Sequence, residues 1–176
     1  IVRMTSGSGF SVRGRVQNVG MSNTSSPFTT QTATGRRIET DLRRSLVGLQ
    51  VVLADLDPRA IPLPDVTAVF SLFAEVRRLA GNGETLMAGR VKDARQWAAE
   101  GHPSVEDWIA KQTGSTVGAA KDQVTTSERL DQLPTTAERM RAGDVSSEQA
   151  GIVADAATLN PAAEDDLLTT AQQDST

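Results

Sequence analysis

Residues 104–143 constrain the fold of this chain more than any other stretch. They read SVEDWIAKQTGSTVGAAKDQVTTSERLDQLPTTAERMRAG, three short helical segments parted by two punctuation marks, Gly114-Ser115 and Leu133-Pro134-Thr135. Ser104 is placed to cap the first helix, and Asp107, three residues on, makes a short-acid version of a capping box. Trp108 and Ile109 give that helix an apolar side. Gly114 can take positive φ and stop it. Ser115 is expected to cap the second helix. The inward face of that helix is Val117, Ala120, Val124 and Leu130, with Ala119 and Leu133 at the edges, a spacing that fits a helical period. Pro134 ends it, because the residue before a proline is pushed out of helical angles. Thr135 or Thr136 then opens a third helix, which runs through Met140 and closes at Gly143.

Two helices around a tight turn containing Gly, with the small Ala110 four places before that Gly, have the outline of a helix-turn-helix. Two readings are open. In one, the second helix meets DNA, and Ser115, Thr116, Lys121 and Thr125 are the contact candidates in its N-terminal half. In the other, the pair is ordinary helical packing, the commoner use of such an outline. Charge weighs against phosphate: Asp107, Asp122, Glu128 and Asp131 outnumber Lys111, Lys121 and Arg129.

The surrounding chain is expected to be helical as well. With 38% hydrophobic but only 3% aromatic residues, a core must be built from Leu, Val and Ala, which suits helices better than a sandwich of sheets. There is no Cys, so neither a disulfide nor a thiolate metal site can form, and a reducing cytoplasmic location is expected. No apolar run approaches the ~20 residues that cross a bilayer, and the N-terminus has no apolar core of a signal peptide.

Residues 1–37 contain five Arg, no acid and long Gly, Ser and Thr stretches without apolar period. Such a stretch buries too little surface to offset its ordering entropy. It is predicted to be a disordered basic arm. It either touches phosphate or serves as a linker, and Met21 is a reasonable alternative start. Residues 38–172 read as a single helical domain, and 173–176 as a frayed tail. The first helix spans 38–57, with Ile38, Leu42, Leu46, Leu49 and Leu53 as its stripe. After the stiff Ile61-Pro62-Leu63-Pro64 connector, a long helix runs from Asp65 to about Glu100. Val69, Phe73, Val76, Ala80, Gly83, Met87, Val91, Ala94 and Trp97 keep near-heptad steps along it, with Leu72, Leu79 and Leu86 beside them. A kink is expected near Gly81-Asn82-Gly83. This seam is either the spine of a monomeric bundle or a surface for self-association. Trp97 and Trp108 flank the Gly101-His102-Pro103 turn and are expected to pack as a local core. Ser146 is expected to cap a further helix with Ile152, Val153 and Ala156 inward, stopped at Asn160-Pro161. Residues 162–172 form a last helix around Leu167 and Leu168.

The pattern Trp108-Ile109-Ala110, Thr113-Gly114, Ala120, Leu133-Pro134, Gly143, then Ser146 or Ser147 to Ala150, resembles the domain of unknown function 222 family. The resemblance covers residues 38–170, and its specific part is 108–157. It implies a helical domain that precedes an HNH nuclease domain in actinobacterial repeat proteins, and hence a link to DNA cleavage. It carries packing and turn residues rather than catalytic ones.

The residues themselves supply no catalytic set. An HNH site needs a histidine base, a second His or Asn, and a divalent metal; this chain has one histidine, His102, in a turn. The SGSG and GNG stretches follow no strand, as a phosphate loop requires. Asp165 and Asp166 are adjacent, so on a helix they diverge by about 100°. No metal site, cofactor or small-molecule substrate is expected. The reading is an all-α bundle with one long central helix and a helix-turn-helix-like pair behind a disordered arm. It serves as a non-catalytic accessory domain, with DNA or a second copy as partner. The alternative is a fragment without independent function.

Overall fold

The computed structural model describes residues 33–158 and 164–173. Every regular element among them is helical, as the sequence predicts. The predicted arm before residue 33, the stop at Asn160-Pro161 and the tail after 173 lie outside the described residues. The chain divides into two units, Ile1–Leu56 and Asp57–Thr176.

In the first unit, α1 (Ala33–Ala54) begins ahead of the expected Ile38. Its added first turn is supported locally: Thr40 Oγ1 donates to the Arg36 carbonyl at 2.8 Å, and Arg37 lies 3.9 Å from Asp41. The helix buries none of its residues, and Ile38, Leu42, Leu46 and Leu53 are all more than half exposed.

In the second unit, α2 (Leu63–Ala94) is the long helix. Pro64 sits in its first turn, where a missing N–H costs nothing, and Asp65 faces the positive end of the helix dipole. The helix runs unbroken through Gly81, Asn82 and Gly83. It stops at Arg95, whose left-handed backbone (φ 54°) breaks the predicted run to Glu100. A short α3 (Gln96–Ala99) follows.

The heptad seam is not what α2 buries. Its buried residues are Asn82, Thr85 and Ala88, with Gly81, Leu86 and Gly89 half-buried beside them. Val76, Ala80, Gly83, Met87 and Ala94 of the seam are exposed, and Val69, Phe73 and Val91 are half-buried. At about 100° per residue these sets lie on opposite sides of one helix. Small side chains decide the matter, because they let neighbouring backbones come close. A Cβ on Gly89 would lie 3.2 Å from Ser127 Oγ, and the Gly89 N–H donates to that hydroxyl at 3.0 Å.

Around this face the remaining helices form two core clusters. Helix α4 (Val105–Thr113) is capped by Ser104, whose hydroxyl accepts from the Asp107 N–H at 3.1 Å, and it ends at Gly114 with φ 71°. Helix α5 (Val117–Arg129) packs against α2, α4 and α7. Ala88, Val105, Ile109, Ala110, Ala120 and Val124 make the first cluster, with both Trp97 and Trp108 packed on it as expected. Ala120 and Val124 are buried as expected, with Thr126 added, whereas Val117, expected inward, and Ala119, expected at the edge, are exposed.

A single 3-10 turn, Leu130–Gln132, leads into α6 (Pro134–Ala142), which starts on the proline itself rather than on a threonine. Helix α7 (Ser147–Ala157) carries a full capping box between Ser146 and Gln149. Its inward residues are Ala150, Val153, Ala154 and Ala157. Ile152, expected inward, is 66% exposed, one step around the helix from Val153. Helix α8 (Glu164–Gln173) brings Leu168 into the second cluster with Leu130, Leu133, Met140 and Val145. No helix among the described residues is long and apolar enough to cross a membrane.

Candidate functional site

Three surfaces of the second unit present themselves. The first is the α4–turn–α5 pair. Gly114 in the left-handed region lets the chain reverse in two residues, and Thr116, not Ser115, caps α5 by accepting from the Ala119 N–H at 3.1 Å. Ser115 is held instead by the Thr113 hydroxyl at 2.8 Å. Lys121 is exposed and makes no ion pair among the described residues, while Thr125 is half-buried and donates to the Lys121 carbonyl at 2.9 Å. The four candidates do not share one patch. Ser115 and Thr125 face the groove described next, and Thr116 and Lys121 do not. Of the nearby cations, Arg129 is committed to Asp155, and Lys92, at the end of α2, to Glu128.

The second surface is an open groove of about 990 Å³ between α2, α5 and α7. Its charged lining is mixed: Arg77 and Arg78 against Glu84, Asp122, Glu148 and Asp155. The Glu148 carboxyl is held below its ordinary value. The main cause is its own backbone N–H, aided by the Ser146 and Ser147 hydroxyls and by the Arg77 charge, while partial burial opposes them. In the groove the Ser147 hydroxyl donates to the Glu148 carboxylate at 3.3 Å, and no histidine is among its lining residues. Among the described residues no three His, Cys, Asp or Glu side chains converge as metal ligands would.

The third surface is the outer seam of α2. Val66, Leu72, Val76 and Met87 on that side are each 39–63% exposed. No residue of α2 before Asn82 is buried. Exposed apolar side chains scattered singly are ordinary, but a continuous helical row of them marks an interaction surface.

Residues 66–175 match the family described as a domain of unknown function, DUF222. The chain belongs to that family. The match begins at Val66 and reaches Ser175, so it starts well after Ile38, where the resemblance placed it, and leaves α1 outside. It covers nearly all of the second unit. No curated protein and no solved structure matches the chain. The residues that carry the DUF222 resemblance prove to be structural. Ile109, Ala110, Ala120, Leu133 and Ala150 are buried, Gly114 and Gly143 end helices with positive φ, and Pro134 begins one.

Sequence reading missed the buried polar row Asn82, Thr85 and Thr126, together with Thr136. A signal was present in α2: small or polar residues recur at 81, 82, 85, 88 and 89, three and four apart, opposite the apolar seam.

Proposed function

We propose that this chain is a non-catalytic helical accessory domain of an HNH-nuclease-type protein, and that it acts by self-assembly through the outer seam of α2. The observation that carries this reading is the exposed apolar set Val66, Leu72, Val76 and Met87, on the side of α2 opposite its buried face. A second copy is the favoured occupant because a heptad row is matched by another helix with the same repeat, and every copy supplies one. Fixed opposite charges, Arg77 and Glu84, also border the row. The nuclease association rests on the family resemblance, and the non-catalytic assignment on the single histidine. A cytoplasmic setting accords with the absence of Cys.

Light scattering on the full chain tests this reading. A dimer is expected, converted to monomer by Val76→Glu, a change at an exposed seam position. A strict monomer at high concentration would falsify it. DNA association through α4 and α5 is a second reading, favoured by the exposed N-terminal half of α5, where Lys121 makes no ion pair among the described residues. Titration of labelled duplex at low salt separates the two. Binding that weakens with salt and with Lys121→Ala supports DNA contact, and no binding removes it.

A further inference from the structure

Resting on the self-association just proposed, we infer that the two α2 helices run antiparallel, each Arg77 against the partner subunit's Glu84. In the heptad register that places Val66, Val69, Phe73, Val76, Ala80, Gly83 and Met87 along the seam, Arg77 and Glu84 are seven residues apart. They occupy the same flanking position on the same side. Both are exposed at the rim of the α2–α5–α7 groove, and neither makes an ion pair among the described residues, although the Arg77 charge acts on Glu148. Within one chain they stand about 10 Å apart along the axis and cannot pair with each other.

Orientation decides what these charges meet. In an antiparallel pair like flanks face one another, so Arg77 meets the partner's Glu84 and Glu84 meets the partner's Arg77. On the other flank Leu72 is exposed, while Leu79 reaches Gly143 and Leu86 packs on the second core cluster of its own chain. In a parallel pair, unlike flanks meet, and Arg77 and Glu84 would each lie against a partner leucine with no countercharge from the partner. Near the centre of the antiparallel overlap stand Ala80 and Gly83. A Cβ on Gly83 would meet nothing within 4 Å, so the partner helix has room to approach. The arrangement is a closed two-fold contact, with the same patch on both copies.

The chain has no cysteine, so single reporter sites are simple to install. A spin label on Ser71→Cys, at an exposed position outside the seam, should give a label separation of about 30 Å in the antiparallel pair, from 1.5 Å of rise per residue. A parallel pair would hold the labels much closer. Arg77→Glu alone and Glu84→Arg alone should each weaken the dimer roughly tenfold, since each replaces two rim attractions with two repulsions. The double exchange should restore wild-type affinity, with circular dichroism unchanged in all three. A dimer with close labels, or a double exchange that fails to rescue, overturns the antiparallel register and leaves self-association standing. A chain that stays monomeric, its labels uncoupled, removes both.

Discussion

Asn82 and Val145 lie 63 residues apart, and the Asn82 amide donates to the Val145 carbonyl at 2.8 Å. The same Nδ2 donates to the Met140 carbonyl, also at 2.8 Å. One side chain of α2 thus takes both carbonyls that flank the α6–α7 turn. Asn82 is 1% exposed, and its Oδ1 has no partner among the described residues. Loss of the amide removes both bonds; the Met140 carbonyl keeps the Gly143 N–H at 3.1 Å, while the Val145 carbonyl loses its side-chain donor, and a buried group so stripped costs about 1–3 kcal/mol. Asn82→Ala should therefore destabilise the chain by about 1–4 kcal/mol in urea unfolding, the cavity included. Asn82→Asp should cost at least as much, because a carboxylate has no N–H to give. A loss below 1 kcal/mol would show that the turn is held by other contacts.

That turn depends on Gly143, with φ 83°, a conformation that disfavours any residue with a Cβ. A Cβ there would also sit 2.8 Å from Leu79 Cδ2. Gly143→Ala should lower stability by about 1–3 kcal/mol, combining backbone strain with the clash. Adding Leu79→Ala should recover the clash and not the strain. Thermal unfolding of the two single variants and the double measures the coupling. Strict additivity would mean that Leu79 simply moves aside.

Helix α8 closes on α6 through one carboxylate. Glu164 Oε1 accepts from the Thr136 N–H at 2.6 Å and from the Thr136 hydroxyl at 2.7 Å, so a residue from α8 caps the first turn of α6. Thr136 is fully buried. Glu164→Ala should cost about 1–2 kcal/mol, the usual loss of a helix cap. It should also speed amide hydrogen exchange in both helices. Faster exchange confined to α8 would show that the cap does not stabilise α6.

Lys92 and Glu128 join the end of α2 to α5, and the pairing raises the Lys92 pKa above its ordinary 10.5. The hydrogen bond to Glu128 is the main cause, and desolvation opposes it. A raised cation pKa means stability that is present in full below pH 10.5 and lost as pH climbs through the folded value. Lys92→Met should therefore be less stable than wild type at neutral pH. The gap should narrow above pH 10.5 and shrink in high salt, because both partners are exposed. Melting temperatures at pH 7 and pH 11 measure it, and a constant gap would assign the effect to packing.

Much of the architecture was legible because it is written locally. Ser104, Gly114, Pro134, Gly143 and Ser146 announce helix ends through backbone angles and cap hydrogen bonds that depend on a few neighbours. The errors share one origin. Val117 and Ile152 are apolar and at helical spacing, yet exposed, because periodicity tells that a helix has a face without telling which neighbour arrives on it. The DNA-contact candidates show the same limit. Their place in α5 was read from the turn, but which of them line the groove depended on where α2 and α7 pack.

By itself, then, the sequence determined that this is a helical DUF222 chain, where most helices begin and end, and that α2 carries an unbroken heptad row. The tertiary structure decided which side of α2 goes inward. Gly81, Asn82, Thr85, Ala88 and Gly89 offer less apolar surface than the seam, but they admit close backbones and complete hydrogen bonds to residues 38–63 positions away. Those partners are brought together only by the fold, so no local pattern could weigh their contribution against the heptads that remain on the outside.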